Sequence, residues 1–374
     1  MAVKYAADID GRVAPGFERV KDAFAANFAR GDAYQDLGAA LCVHHRGACV
    51  VDLWGGLIEE GRAWRPDTLV NVWSTTKGLA AVCIAKLVER GAIAYSDPVA
   101  SVWPEFAANN KHAITIAQVM RHEAGLTGFV EPTTFEDFRD QARCAARLAR
   151  QAPAFPPGSA NSYHAATYGF LTAEIVRRAD GRSIGVFARE EITGPLKADF
   201  FIGLPAELEP RVAPVRAPLT SPEIPALPDA ALMALINPNL DPLCANSRAW
   251  RAAEIPAMNG MASARGVAAL YNGLLTNDVL NAAALAQMTE PGPDRADMML
   301  GFPACWGMGV AHNKIGVYGP NPRAYGHSGW GGSFGCADPG AQIAIGYVLN
   351  QMGADLVGDP RGVTLANAVH ACLA

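Results

Sequence analysis

The sequence predicts an α+β fold: an antiparallel sheet flanked by helices, formed from both chain ends, with a mainly helical region inserted between. Three observations predict it. β-type runs gather in the first hundred residues and return after residue 300. The stretch between them carries mostly helical periodicity. Half of the 374 residues are apolar and 18% charged, which gives material for a large core and excludes global disorder. On this reading residues 1–100 and 291–374 form one discontinuous sheet domain, and 101–290 a helical one.

The elements follow in order. Residues 17–29 read as a helix because Val20, Phe24 and Phe28 recur every fourth position. Runs 39–44 and 48–54 are β-type and flank Arg46-Gly47, a hairpin signal. Residues 67–73 form a short approach. Residues 74–90 are strongly helical, with Leu79, Val82, Cys83, Leu87 and Val88 on one side and Gly91 as a stop. Further helices are predicted at 136–150, 167–178 and 262–275. Residues 205–242 hold nine prolines, a density no regular sheet tolerates. They read as an extended ordered loop, either a lid or wall or a mobile surface insertion. β-type runs return at 306–310, 324–328, 333–338 and 342–349, with Asp338-Pro339-Gly340 as a hairpin turn. Residues 362–373 read as a closing helix. There are no internal repeats.

Composition excludes several functions. A net charge of -5 cannot hold a phosphate backbone, so nucleic acid is not a partner. No run reaches about 18 apolar residues, the length of a membrane span. Residues 1–17 lack the apolar core of a secretory signal. The eight cysteines (Cys42, Cys49, Cys83, Cys144, Cys244, Cys305, Cys336, Cys372) contain no C-x-x-C pair and sit in apolar surroundings. They read as small core residues of a reducing, cytoplasmic protein. A zinc site has no supporting spacing, so neither metal nor cofactor is expected.

Three segments could carry chemistry. Ser74-Thr75-Thr76-Lys77 is the one S-x-x-K in a chain of 11 Ser and 7 Lys, where chance gives about 0.2. Residues three apart share a helical face. The lysine can then lower the cost of a seryl alkoxide, or act as base when neutral; an N-cap serine with a solvated lysine is the plainer alternative. Tyr163 lies in Asn161-Ser162-Tyr163-His164-Ala165, after a Pro-Pro-Gly turn. A phenol becomes a base near neutrality only if a cation such as Lys77 stabilises its anion; otherwise Tyr163 is a core tyrosine. In Tyr325-Gly326-His327-Ser328-Gly329-Trp330-Gly331-Gly332, short residues let substrate approach the backbone. A main-chain N–H there could supply half of an oxyanion hole; a Gly-rich turn between strands is the alternative.

The order S-x-x-K, a tyrosine about 90 residues on, and H-S-G before a Gly-rich strand resembles the serine β-lactamase-like superfamily over most of the chain. Arg121-His122-Glu123-Ala124-Gly125-Leu126 and Asn259-Gly260 add to the likeness. It is most similar to the class C β-lactamase-related carboxylesterases, the family VIII esterases, because Ala165 stands where a lactamase has Asn and His327 where it has Lys. The resemblance implies a serine carboxylesterase for small, short-chain esters, without cofactor, working through an acyl-enzyme that an alcohol or amine could also intercept. It implies Ser74 as nucleophile, Lys77 tuning Ser74 and Tyr163, and Tyr163 as general base. It further implies an oxyanion hole from the N–H groups of Ser74 and Trp330, with His327, Ser328, Gly329 and Trp330 at the substrate. The competing readings are a β-lactamase or D-amino-peptidase, and a non-catalytic binding or scaffold protein on the same fold.

Gly331-Gly332-Ser333-Phe334-Gly335 also fits G-x-S-x-G, the nucleophile elbow of another hydrolase class. That motif needs a helix after the serine, and here a strand is expected. Trp330 is expected at the acyl pocket and most other tryptophans in the core. His44, His45, His112 and His312 read as ordinary surface or core residues.

Overall fold

A computed structural model describes residues 8–221 and 226–373. The strands that matter are β1 (Ile9–Val13), β2 (Gly38–His45), β3 (Ala48–Glu59), β4 (Ala311–His312), β5 (Tyr325–Ser328), β6 (Phe334–Asp338) and β7 (Ile343–Leu349). They form one antiparallel sheet in the order β1-β3-β2-β7-β6-β5-β4, with Arg62–Ala63 beside β3. The sheet is therefore built from both chain ends, and its central pair joins β2 to β7, Leu41 opposite Tyr347.

β2 is buried on both faces, and successive side chains go to opposite sides. Ala39, Leu41 and Val43 enter one core with Val20, Phe24 and Phe28 of α1 (Glu18–Phe28). The other core takes Ala40 and Cys42 together with α2 (Thr76–Glu89). α5 (Thr167–Asp180) packs on α2, and α3 (Ile116–Met120) and α4 (Gln141–Arg150) pack on α5. Further along the chain are α6 (Asp229–Ile236), α7 (Ala264–Leu275), which lies across β2, β6 and β7, and α8 (Pro360–Ala371), which packs on α1. Among the described residues no helix is long and apolar enough to cross a membrane.

Four expectations need correction. The edge strand β1 was not read, because only its two ends are even half-buried and it has no apolar alternation. Residues 306–310 are not a strand. Gly307 and Gly309 close a tight turn there, and only Trp306 bridges across to Ala311. The helix expected over 136–150 is split at Asp140, which caps α4 by accepting from the Arg143 N–H. The proline-rich stretch is not all loop. It holds a short 3-10 turn, Ala206–Arg211, and α6, which begins directly after Pro228, where a ring restricts φ without costing a helix hydrogen bond. Its residues 222–225 lie outside the described part.

Candidate active site

The segment leading to α2 is tightly wound. The N–H groups of Thr75, Thr76 and Lys77 donate to the carbonyls of Val72, Trp73 and Ser74 at 3.1, 3.0 and 2.9 Å. Trp73, just before the serine, has φ 46. A bulky residue in the left-handed region is strained. Its ring is fixed by Trp250 and Trp330, centroids 5.7 and 5.1 Å away. This turn sets Ser74 at the mouth of α2, facing a cleft.

Lys77 is fully buried. Its Nζ lies 2.7 Å from the Ala165 carbonyl, 3.0 Å from the Ala257 carbonyl and 3.2 Å from Ser74 Oγ. No carboxylate is among these partners, and burial holds its pKa well below the usual lysine range. A neutral amine fits the arrangement: two N–H bonds satisfy the two carbonyls and the lone pair is left for the seryl hydroxyl.

Tyr163 sits across the cleft from this pair, with Lys77 Nζ 4.6 Å from its ring centroid. Burial pushes its phenol well up, while the neighbouring Ser74 pulls it down by less. Its hydroxyl is buried and has no hydrogen-bond partner among the described residues. Trp306 stacks on the ring at 5.5 Å, and His122 packs edge-on at 4.9 Å. Asp297, which nothing in the sequence pattern singles out, organises this side. Its Oδ1 accepts from the N–H groups of Tyr163, Met299 and Leu300, and its Oδ2 from Trp306 Nε1.

The His327-Ser328-Gly329 segment ends β5 beside the serine. His327 Nδ1 meets the Ser328 carbonyl at 2.8 Å, which assigns the proton to Nδ1 and leaves Nε2 a buried acceptor without a partner among the described residues. Burial pushes His327 down to about 3, so the ring is neutral at physiological pH. Gly329 has to be glycine: a Cβ would stand 2.2 Å from the Val72 carbonyl oxygen and 2.3 Å from Ser333 Oγ. That approach brings the following turn against the Ser74 turn. The N–H groups of Ser74 and Trp330 have no acceptor among the described residues. Ser328 is not free: its hydroxyl pairs with the Tyr318 hydroxyl at 3.1 Å.

Ser333 is buried, donates to the Val72 carbonyl at 2.9 Å and pairs with Thr75 Oγ1 at 3.1 Å. β6, not a helix, follows it. It ties the β5–β6 turn to the Ser74 turn.

Ser74 and Tyr163 stand where two lobes of the cleft meet. The larger, about 630 Å³, is walled by Trp73, Trp330, Met299 and Leu356, with Leu235 of α6 and Leu240 from the proline-rich stretch. The smaller, about 40 Å³, is lined by Trp306, Phe302, Tyr318 and His327. His312, expected to be an ordinary residue, lines this smaller lobe. Trp306, expected in the core, is both buried and part of its wall.

A seryl oxygen against a buried amine, with a phenol opposite and two idle backbone donors, defines a serine enzyme of the acyl-transferring class. The chain belongs to the beta-lactamase family, whose model matches residues 24–368. Among solved structures it is similar to a family VIII carboxylesterase, 42% identical with TM-score 0.92 over 98% of this chain and all of that one. A penicillin-binding protein homologue from Caulobacter crescentus is 39% identical with TM-score 0.90, again over 98% of this chain and all of that one. The esterase/beta-lactamase LipL of Mycobacterium tuberculosis is 33% identical over 93% of this chain and 84% of its own length.

Proposed function

We propose that the chain is a serine carboxylesterase that hydrolyses small esters through an acyl-enzyme on Ser74. The observation that carries this is Lys77 Nζ, buried without a counter-ion among the described residues and 3.2 Å from Ser74 Oγ. The esterase names of its similar relatives support the same activity. In this reading the neutral Lys77 amine takes the seryl proton as Oγ attacks the ester carbonyl. The Ser74 and Trp330 N–H groups receive the oxyanion. Tyr163, held protonated by burial, gives its proton to the leaving alkoxide and recovers one from the Lys77 ammonium. A water then repeats the cycle on the acyl-enzyme. The base is thus Lys77, where the family resemblance implied Tyr163. Action in the cytoplasm belongs to this proposal too, supported by all eight cysteines being free thiols.

Lys77 and Tyr163 should act as one relay. Lys77→Ala and Tyr163→Phe are each expected to cost most of the rate, with the double variant little worse than the poorer single. Strictly additive losses would break the relay. The acid limb of kcat/KM should report Lys77, because activity is lost as falling pH protonates an amine that must be neutral. His164 and His327, pushed down to about 4 and about 3, chiefly by burial, are not available to set it. His327→Gln should therefore leave the limb where it is, and a limb that disappears in this variant would refute the assignment.

Esters should be turned over far better than β-lactams. Ala165 offers no side-chain amide to an acylamide, and neutral His327 offers no fixed charge to a substrate carboxylate. The missing neutral amide contact costs about 0.5–1.5 kcal/mol, and the missing charge-assisted one about 1.5–3 kcal/mol, roughly ten- to a hundredfold. The check is kcat/KM for p-nitrophenyl butyrate against nitrocefin on one preparation. Nitrocefin equal or better would favour the lactamase reading.

A further inference from the structure

We propose that Cys42, His44 and Cys49 form a binding site for one thiophilic divalent cation of the zinc class, with a fourth position open to solvent. The site lies on the β2–β3 hairpin. Its residues are brought together by an irregularity that the sequence does not announce. Pairing runs regularly down to Val43 opposite Val51, then shifts, so that His44 faces Cys49. In the unshifted register Cys49 would face His45 and point to the other side of the sheet. The shift turns it to the side already occupied by Cys42 and His44, which are two apart on one strand.

The distances fit a tetrahedral ion. The Sγ atoms of Cys42 and Cys49 are 3.9 Å apart. The ligand atoms of all three residues lie within 4.8 Å of one another. Zinc–sulfur bonds of about 2.3 Å at a tetrahedral angle put two sulfurs about 3.8 Å apart. A disulfide needs about 2.05 Å, so the pair is spaced for a bridging ion and not for a bond. A cleft of about 760 Å³, lined by the three ligands with Arg12, Asp52 and Arg265, gives an ion a way in and leaves room for a water as fourth ligand.

The donors are in suitable chemical states. His44 Nδ1 is buried and has no hydrogen-bond partner among the described residues. Cys42 and Cys49 are both free thiols. Asp52 is engaged by Arg265 at 2.7 and 2.9 Å, so its carboxylate remains outside the ligand set. Two thiolates balance a dication, and binding releases the remaining thiol protons to solvent. Lys197 and Arg265 also line the cleft. Their charges face a neutral metal–dithiolate centre and not a bare cation.

No residue lines both this cleft and the lobes around Ser74. The ion is therefore independent of ester turnover, and chelation should leave that turnover unchanged. The test uses the full chain, reduced and stripped with a chelator, then titrated with cobalt(II) and afterwards zinc(II). Cobalt should bind one per chain, with a thiolate-to-cobalt charge-transfer band and the intense visible bands of a tetrahedral site, and zinc should displace it. Loss of an outer-shell partner weakens such sites roughly 10–100-fold, so loss of a ligand should cost about a hundredfold or more. That loss is expected in Cys42→Ser, His44→Ala and Cys49→Ser, each with unchanged turnover of p-nitrophenyl butyrate. Cys49 is only half-buried, so Cys49→Ser carries the test should the buried Cys42 variant fail to fold. Absence of the charge-transfer band in fully reduced protein would overturn the proposal. So would zinc uptake that survives in Cys42→Ser/Cys49→Ser, or formation of a Cys42–Cys49 disulfide in air by protein that takes up no metal when reduced.

Discussion

Ser74→Ala is expected to lower ester turnover by several orders of magnitude, roughly 10⁴–10⁶-fold, while leaving the melting temperature within a few degrees of the parent. The size follows from the lack of a substitute. Covalent catalysis needs a hydroxyl within reach of Lys77 Nζ, and Ser74 Oγ is the one that Nζ meets. Thr75 Oγ1 and Ser333 Oγ are tied to each other, and Ser333 Oγ also donates to the Val72 carbonyl. Ser328 Oγ is paired with Tyr318. What remains in the variant is the pocket and the two backbone donors, which alone give modest acceleration. Steady-state rates with p-nitrophenyl butyrate, and a fluorophosphonate probe followed by peptide mapping, make the comparison. If Ser74→Ala kept its activity while Ser333→Ala lost it, the nucleophile would be the serine of the G-x-S-x-G segment.

The largest effect on stability is expected at Arg361. This side chain is wholly buried. It holds Asp36 at 3.1 Å and Asp359 at 2.7 and 2.9 Å, and it donates to the Gln351 and Gly331 carbonyls, both at 2.9 Å. Arg361→Leu strands two buried carboxylates, a change that costs about 3–5 kcal/mol when one partner of a buried pair is removed. It also frees the Gly331 carbonyl, one anchor of the turn that presents the Trp330 N–H, so the residual activity of folded variant should fall as well. pH provides a second readout. Burial raises Asp36 to about 6, against the opposing pull of Arg361. A carboxyl raised in the folded state binds its proton more tightly there than in the unfolded chain. Its contribution to stability is therefore present at low pH and lost as pH rises through about 6. Without Arg361 the same carboxyl rises further, so the destabilisation should be greatest at neutral pH and shrink on acidification. Urea titrations of both proteins at pH 5 and pH 7.5 test this, and a deficit independent of pH would assign the loss to packing alone.

What could be read in advance depended on whether the signal was local. The β2–β3 and β6–β7 hairpins announced themselves through Arg46-Gly47 and Asp338-Pro339-Gly340, and α2 through its apolar side and Gly91. Ser74 and Lys77 are one helical turn apart, so their meeting followed from spacing. Tyr163 and the His327 segment came from the order of motifs, since no local rule brings residues so distant in the chain to one cleft. Asp297 was missed because an aspartate gathering three backbone N–H groups looks, in sequence, like any turn aspartate. The exposed strand β1 had no apolar rhythm to betray it. Helix α6 lay among prolines that argue against regular structure and yet mark its first turn. The Cys42–His44–Cys49 grouping depends on a one-residue shift in pairing, and C-x-H-x-x-x-x-C carries no sign of that shift.

The pairing of β2 with β7 also bears on how the enzyme comes into being. Leu41 and Tyr347 are opposite each other, although they lie far apart in the chain. On a ribosome β2 and β3 emerge well before β7 and must wait with one long hydrogen-bonding edge unfilled until that strand follows. Trp330, which carries one of the two idle backbone donors, emerges only shortly before β7. Catalytic competence thus coincides with completion of the sheet, so a nascent or prematurely terminated chain carries Ser74 and Lys77 but lacks half of the proposed oxyanion cradle. The same geometry makes folding slow, because closing so large a loop precedes the contacts that reward it.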